Sequence, residues 1–294
     1  MKKIVICPIF CESHLVKYQI PNIIDTIDPD YIIYNEGLFP GATEGGKELK
    51  KEWLDKYTLD GKRGFDYLEL KDIIEKAKIT YPNVKFILNE MNYSSEMSSI
   101  DCYVNATTNF EDLGIKIEEG DCIFPFEGDV FHHENSKDQI NSYVNQIEPN
   151  QGFKSHWLEF VANQFYVEKK TLIENHQSRK ICIKYGTMDF YIDVLGDFIN
   201  QNYYMLHPTD LTTYHYAWWR PGKFLDLRCD QLERQPGYWE NFKRAIDLAN
   251  QLELDDINNR PSISTDPNNI GCWIKKIEIE HPKHIKEHSC YINL

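Results

Sequence analysis

The chain has 294 residues, and 46 acidic against 32 basic side chains give it a formal charge of −14. Hydrophobic residues make up 41% of the sequence, which is enough for a buried core and argues against disorder. The acidity argues against a nucleic-acid partner, because phosphate backbones are bound by clustered Lys and Arg. No apolar run reaches the ~18–20 residues of a membrane span, so no transmembrane segment is expected.

Short apolar runs alternate with amphipathic stretches through the first half of the chain. Strands are predicted at 3–10, 30–34 and 84–88, and helices at 14–27, 47–57 and 67–77. Pro21 is expected to kink the first helix. Strands that alternate with helices predict βαβ units and a mainly parallel sheet with helices on both faces.

The second half has a more mixed pattern. A short central strand is predicted at 121–126, and Ser136 with Gln139 forms a capping-box sequence that predicts a helix to about residue 147. Three further strands and one amphipathic helix are predicted at 154–167, 179–185, 188–194 and 238–252. We therefore expect one α/β domain with a C-terminal extension.

The eight cysteines are scattered and form no CxxC pair. Several lie inside apolar runs, where a cysteine behaves as a small hydrophobic residue. This usage indicates reduced thiols in the cytoplasm, neither a disulfide framework nor a zinc site.

Two carboxylates follow the predicted central strand directly. In the segment Phe126-Glu-Gly-Asp-Val-Phe-His-His133, Glu127 and Asp129 are two residues apart, so an extended backbone would place both on one face. Ligands of open α/β sheets bind at the carboxyl ends of the strands. Such a pair is suited to a hard divalent cation, the alternative being a solvated acidic turn.

A second segment of interest is Thr213-Tyr-His-Tyr-Ala-Trp-Trp-Arg-Pro221. Its histidine, His215, lies within an aromatic run. Neutral imidazole binds divalent metals such as Mn²⁺, so His215 is either a metal ligand or a core residue.

Taken together, the two segments resemble the glycosyltransferase A fold, specifically the family-2-like sugar transferases of bacteria and viruses. Glu127-Gly-Asp129 matches the acidic element that ends a central strand, and His215-Tyr-Ala-Trp218 matches a later His-x-x-Trp element. Glu280-His-Pro282 is similar to the His-Pro element near the end of these proteins. The resemblance implies a Rossmann-like, mainly parallel core with a smaller acceptor-side sheet. Residues 1–135 would form the nucleotide-sugar-binding half, and 136–294 the acceptor-side half with the C-terminal extension.

The resemblance also implies a function and a set of site residues. The chain would move a sugar from a nucleotide-sugar donor to a glycan or another hydroxyl acceptor, with Mn²⁺ or Mg²⁺ bound by Asp129, His215 and Glu127. The residues expected to surround the donor are Pro8, Phe10, Glu12, Asn35, Glu36 and Glu127. For Glu36, exposure beside a turn is the alternative.

Transfer with inversion needs a carboxylate that takes the proton of the acceptor hydroxyl. Glu159 is the first candidate, because an acid inside an apolar strand-like segment needs a reason to be there. Asp189 is the second candidate. Transfer with retention is the alternative stereochemistry.

Three other functions compete with transfer. A nucleotidyltransferase would share the α/β core and the acidic metal site, but no glycine-rich phosphate loop with a basic residue is found near the N-terminus. A carbohydrate-binding protein could keep the fold without activity, and it would bind a nucleotide sugar without turnover. A metal-dependent hydrolase would use His132, His133, Glu134 and Asp129, but adjacent histidines on a strand cannot easily face one ion.

Overall fold

The computed structural model describes residues 1–37, 51–91, 110–160, 164–168, 178–187, 205–206, 208, 210–232 and 274–291. Three predictions lie outside these ranges: the strand at 188–194, the helix at 238–252 and the second candidate base, Asp189. Among the helices that are described, every one is too short or too polar to cross a lipid bilayer.

The described elements follow one another in chain order. They are β1 (Lys3–Ile9), α1 (Ser13–Thr26), β2 (Tyr31–Glu36), α2 (Lys51–Tyr57), α3 (Tyr67–Thr80), β3 (Lys85–Glu90), β4 (Cys122–Pro125), β5 (Val130–His132), α4 (Lys137–Gln146), β6 (Gln151–Glu159), β7 (Tyr166–Glu168), β8 (Ser178–Lys184), β9 (Met205–Leu206), β10 (Thr212–His215), α5 (Lys223–Leu232) and β11 (Ile274–Lys276).

The first four strands of the main sheet form a parallel block in the order β3-β2-β1-β4. Strand β1 is central, and both of its faces are buried. Ile4 and Ile6 join one hydrophobic cluster, whereas Val5, Cys7 and Ile9 join the other. Burial on both faces explains why β1 is a continuous apolar run instead of an alternating one.

The sheet continues beyond β4 with mixed directions. Strand β8 is antiparallel to β4 and to β6, β10 is parallel to β6, and β5 is antiparallel to β10 at the edge of the sheet. Strand β9 also pairs with β6, and β7 with β11 forms a separate two-stranded sheet. The expected α/β fold with a mainly parallel sheet and a smaller second sheet is confirmed.

Side chains of helix α1 form hydrogen bonds with the backbone of the edge strand β5. The side-chain amide of Asn22 donates to the carbonyl O of His132 at 2.6 Å and accepts from its N–H at 3.0 Å. Gln19 Nε2 donates to the carbonyl O of Val130 at 3.2 Å and also to that of Glu127. Both amides are fully buried, so α1 satisfies backbone groups on the open side of β5.

The capping box predicted at Ser136 is wrong, although the helix behind it is confirmed. The Ser136 side chain makes no capping hydrogen bond to α4. A 3₁₀ turn at Glu134–Ser136 precedes the helix instead, and the side chain of His133 caps this turn, with Nδ1 accepting from Asn135 N–H at 3.2 Å. The 3₁₀ turn leaves Ser136 with helical backbone angles, which suit a residue inside a helix and not an N-cap.

Candidate metal centre and donor site

The candidate site lies where β4 ends and where β5 pairs with β10. The chain leaves β4, passes Glu127 and Asp129 in a turn, and enters β5 at Val130. Val130 stands opposite His215 in the β5–β10 ladder, and Tyr216 N–H donates to the carbonyl O of Asp129 at 2.9 Å. Strand pairing thus brings together the two segments that the sequence singles out.

Glu127, Asp129 and His215 form a group whose ligand atoms lie within 4.8 Å of one another. His215 Nε2 is 3.1 Å from Asp129 Oδ1 and 3.6 Å from Glu127 Oε2. Asp129 and His215 are buried, and Glu127 is partly exposed at the mouth. Among the described residues, Asp129 Oδ1 and His215 Nε2 are buried and have no further hydrogen-bond partner, an arrangement that a cation between these two atoms would satisfy.

Arg220 holds the other oxygen of Asp129. Its Nη2 donates to Asp129 Oδ2 at 3.1 Å and to Glu12 Oε1 at 2.8 Å, and its Nε donates to the carbonyl O of Ala217 at 2.7 Å. Burial alone raises the pKa of Asp129, but the neighbouring His215 and Arg220 outweigh it and hold this pKa well below its usual range. Asp129 is therefore a carboxylate at neutral pH, with Oδ1 directed toward His215.

Glu12 lies against the turn that carries Glu127 and Asp129, which is called the acidic turn below. A Cβ at Gly128 would collide with Oε2 of Glu12, so any other residue there would have to displace the carboxylate that Arg220 holds. Burial, with a further contribution from Asp129, raises the pKa of Glu12 to about 7 in spite of Arg220. The loop after β1 and the turn after β4 are thus joined through Glu12 and Arg220.

The other predicted donor residues of β1 lie beneath the surface. Pro8 and Phe10 are buried, and the Phe10 ring stacks on Trp53 of α2 with centroids 6.2 Å apart.

Glu36 ends β2 as a buried carboxylate, so its alternative interpretation as an exposed turn residue is wrong. It accepts from Gly64 N–H at 2.9 Å and from Arg63 Nη1 at 3.4 Å, and burial raises its pKa to about 7. Its neighbour Asn35 accepts through Oδ1 from Asn89 at 2.8 Å, while the buried Asn35 Nδ2 has no hydrogen-bond partner. These contacts join the end of β2 to β3 and to the turn that precedes α3.

Glu159 lies on the far side of His215 from the acidic turn. It stands opposite His215 in the β6–β10 ladder, and its Oε2 is 4.0 Å from His215 Nδ1. Its Oε1 accepts from Trp218 Nε1–H at 3.0 Å. The Trp157 ring packs edge-on against the imidazole at 4.7 Å, so His215 is held between aromatic and acidic neighbours.

The histidines of the alternative hydrolase site do not meet Asp129. His132 is fully buried with its ring against Phe126, and burial lowers its pKa to about 4. His133 Nε2 instead lies 3.6 Å from Glu280. Within the described ranges, only the group of Glu127, Asp129 and His215 has the geometry of a metal site with three or more ligands.

Several residues that position the side chains of the site belong to no recognisable motif in the sequence. Arg63 stands in an ordinary turn, and the bridge from Arg220 to Glu12 depends on how two distant loops meet. Gln19 and Asn22 do carry a signal, because they are polar residues three positions apart on the buried face of an amphipathic helix.

Comparisons with known proteins find likeness in structure alone. No protein-family model and no curated protein sequence matches the chain. Residues 1–349 of S. aureus TarS overlap with a TM-score of 0.38 at 9% identity, over 88% of this chain and 78% of that one. The mannosyltransferase PcManGT from Pyrobaculum calidifontis, solved with GDP-Man and Mn²⁺, gives 0.40 at 10% identity, over 83% and 64%. A putative glucose-1-phosphate thymidylyltransferase from Bacillus anthracis gives 0.36 at 12% identity, over 80% and 96%.

The fold is a mainly parallel α/β sheet with Glu127 and Asp129 in a turn at the carboxyl end of β4, which is the arrangement that the sequence resemblance implies. The TM-scores of these three overlaps are 0.40 or lower, so none of the substrates of those proteins is assigned to this chain. What the site does must follow from its own residues.

Proposed function

We propose that this protein is a metal-dependent glycosyltransferase that moves a sugar from a nucleotide-sugar donor to the hydroxyl of a glycan or another acceptor, with inversion. The observation that carries the proposal is the convergence of Glu127, Asp129 and His215 at the carboxyl end of the parallel block. In open α/β sheets this edge is where nucleotides bind.

The three side chains fit a divalent metal by their chemistry. Two carboxylates and one imidazole suit Mn²⁺, which takes both oxygen and nitrogen ligands, better than Mg²⁺, which prefers oxygen. Asp129 Oδ1 and His215 Nε2 would be the inner ligands, with Glu127 completing the set or contacting the ribose. A bound cation supplies positive charge against the diphosphate that leaves with the bonding electron pair.

Glu159 is proposed as the base. The acceptor oxygen attacks the anomeric carbon while the bond from that carbon to the phosphate oxygen breaks, and the hydroxyl proton passes to Glu159. Support comes from its position at the end of β6, across the imidazole from the acidic turn, and from Trp218, which orients its carboxylate. Asp189 remains the second candidate.

The donor nucleoside is proposed to lie by the carboxyl ends of β1 and β2, where Pro8, Phe10, Glu12, Asn35 and Glu36 are found. Asn35 Nδ2 is buried and meets no acceptor among the described residues, which supports this placement, since a base or ribose oxygen could accept from it.

A panel of nucleotide sugars, tested by thermal shift with Mn²⁺, with Mg²⁺ and with EDTA, identifies the donor, because a ligand of the native state raises the melting temperature. We expect a metal-dependent rise for at least one donor, followed by transfer to a glycan acceptor library. Asp129→Asn should abolish the rise, whereas Asp112→Asn, a matched change at an exposed position, should retain it. An equal rise in Asp129→Asn would refute the metal site, and donor binding without turnover would favour the carbohydrate-binding alternative.

A further inference from the structure

Two arginines lie close to the carboxylates of the candidate site, and they differ in their partners. Arg220 donates to both Asp129 and Glu12. Arg228, on α5, has a buried Nε that finds no hydrogen-bond partner within the described part of the chain. A guanidinium N–H that is removed from water without an acceptor is unfavourable, and the described residues supply none, so this position calls for a ligand.

The position of Arg228 is fixed by the aromatic residue beside the base. Its Cζ lies 5.6 Å from the centroid of the Trp218 ring, a cation–π distance. Trp218 in turn donates to Glu159, which stands next to His215. Trp218 therefore contacts both the guanidinium of Arg228 and the carboxylate of Glu159.

The electrostatic neighbours of Arg228 are those of the candidate site. Burial lowers the pKa of Arg228, as does the like charge of Arg220, whereas Asp129, Glu159 and Glu12 favour its charged form. A guanidinium stays protonated at neutral pH even when it is buried. Arg228 is thus a fixed positive charge at the candidate site, with N–H capacity to spare.

We propose that Arg228 binds the diphosphate of the donor, and so the leaving group of the reaction. The planar fork of a guanidinium matches two oxygens of a phosphate, and the cation–π contact with Trp218 keeps Arg228 beside the residue that binds Glu159. The carboxylates of the site repel an anion until a cation is bound, so the diphosphate binds after the metal. This inference rests on the proposed function, because the cation at Asp129 and His215 brings the diphosphate within reach of Arg228.

Inorganic pyrophosphate is the probe, because it needs no knowledge of the base or the sugar. Titrations at saturating Mn²⁺ would compare wild type with Arg228→Gln, Arg228→Lys and the exposed control Lys116→Gln. We expect pyrophosphate affinity to fall about ten- to a hundredfold in Arg228→Gln, the range for a lost charge-assisted hydrogen bond, and less in Arg228→Lys. Lys116→Gln should bind as wild type does. The affinity for Mn²⁺ alone should hold or rise in Arg228→Gln, because a positive charge has been removed.

Each outcome separates this inference from the proposed function. Mn²⁺ binding with unchanged pyrophosphate affinity in folded Arg228→Gln overturns the role of Arg228 and leaves the metal site standing. Absence of Mn²⁺ binding in wild type overturns the proposed function, and Arg228-dependent pyrophosphate binding without metal would then still support an anion site. Absence of pyrophosphate binding in wild type overturns the inference. If Arg228→Gln does not fold, the conservative Arg228→Lys variant decides, with equal affinity counting against the role.

Discussion

At the scale of single residues, the two carboxylate oxygens of Asp129 have different neighbours. Oδ2 accepts from Arg220, while Oδ1 is buried beside His215 Nε2. The bond to Arg220 fixes the rotamer of the carboxylate, so Oδ1 is held ready for a ligand. Gly128 makes the arrangement possible, because Glu12 occupies the place where a side chain would be.

Glu36 predicts a distinctive dependence of stability on pH. Its pKa is about 7 in the folded chain against 4.5 ordinarily, mainly because it is buried. Between these values the folded state keeps a proton that the unfolded state releases, so Glu36 lowers stability as pH rises through this window and costs nothing below it. A shift of this size corresponds to at most about 3 kcal/mol.

Glu36→Gln cannot titrate, so we expect it to gain stability relative to wild type as pH rises from 4.5 to 7. Urea unfolding across this range measures the difference, and Glu119→Gln at an exposed position controls for the loss of a charge. Parallel stability profiles for wild type and Glu36→Gln would show that burial does not raise the pKa of this carboxyl.

At the scale of elements, helix α1 determines the shape of the acidic turn. Asn22 and Gln19 bind backbone groups of residues 127–132, so the turn and β5 are fixed between α1 and β10. We expect Asn22→Ala to cost about 2 kcal/mol, since both backbone groups of His132 lose a buried partner. Gln146→Ala, which removes an exposed amide bonded to Ser142, should cost less than about 0.5 kcal/mol.

Urea unfolding of the two amide variants measures this difference. The same samples should show weaker Mn²⁺ binding in Asn22→Ala than in Gln146→Ala, because the turn loses its support. Equal stability of the two variants would mean that α1 does not hold β5.

Elements buried on both faces are the ones that the sequence predicts well. Strands β1, β2 and β4 are apolar runs that fit only the interior of a sheet, and helices α1 and α3 have clear amphipathic spacing. Strand β5 has only three residues, and its conformation comes from pairing with β10, so no local pattern marks it. The predicted strand at 154–167 is two strands, β6 ending at Glu159 and β7 beginning at Tyr166.

For the site, the sequence predicts which residue types are involved but not all of the contacts between them. Glu127, Asp129 and His215 can be predicted from the sequence as candidate metal ligands, because carboxylate and imidazole groups are side chains that bind Mn²⁺. The bridge from Arg220 to Glu12 could not be predicted, since it requires the backbone path of two loops that are far apart in sequence.

At the scale of the whole molecule, one sheet joins the two parts of the chain that form the candidate metal centre. Glu127 and Asp129 follow β4, and His215 ends β10. The residue after β10, Tyr216, contacts the C-terminal segment. There His281 binds the hydroxyl of Tyr216 through Nδ1 at 2.7 Å, and its Nε2 lies 2.9 Å from the carbonyl O of Gln164. The His-Pro element near the C-terminus therefore has a structural part in holding β10.

The central claim is that His215 is a metal ligand and not a core histidine. The most direct measurement determines, on the same His215→Ala sample, the melting temperature without metal and the affinity for Mn²⁺ by electron paramagnetic resonance. We predict a small change in melting temperature and at least a tenfold loss of Mn²⁺ affinity, whereas His132→Ala, a matched change of a buried histidine in β5, should show the reverse. A loss of about 1–3 kcal/mol in stability of the metal-free His215→Ala protein, with Mn²⁺ affinity unchanged, would contradict the account.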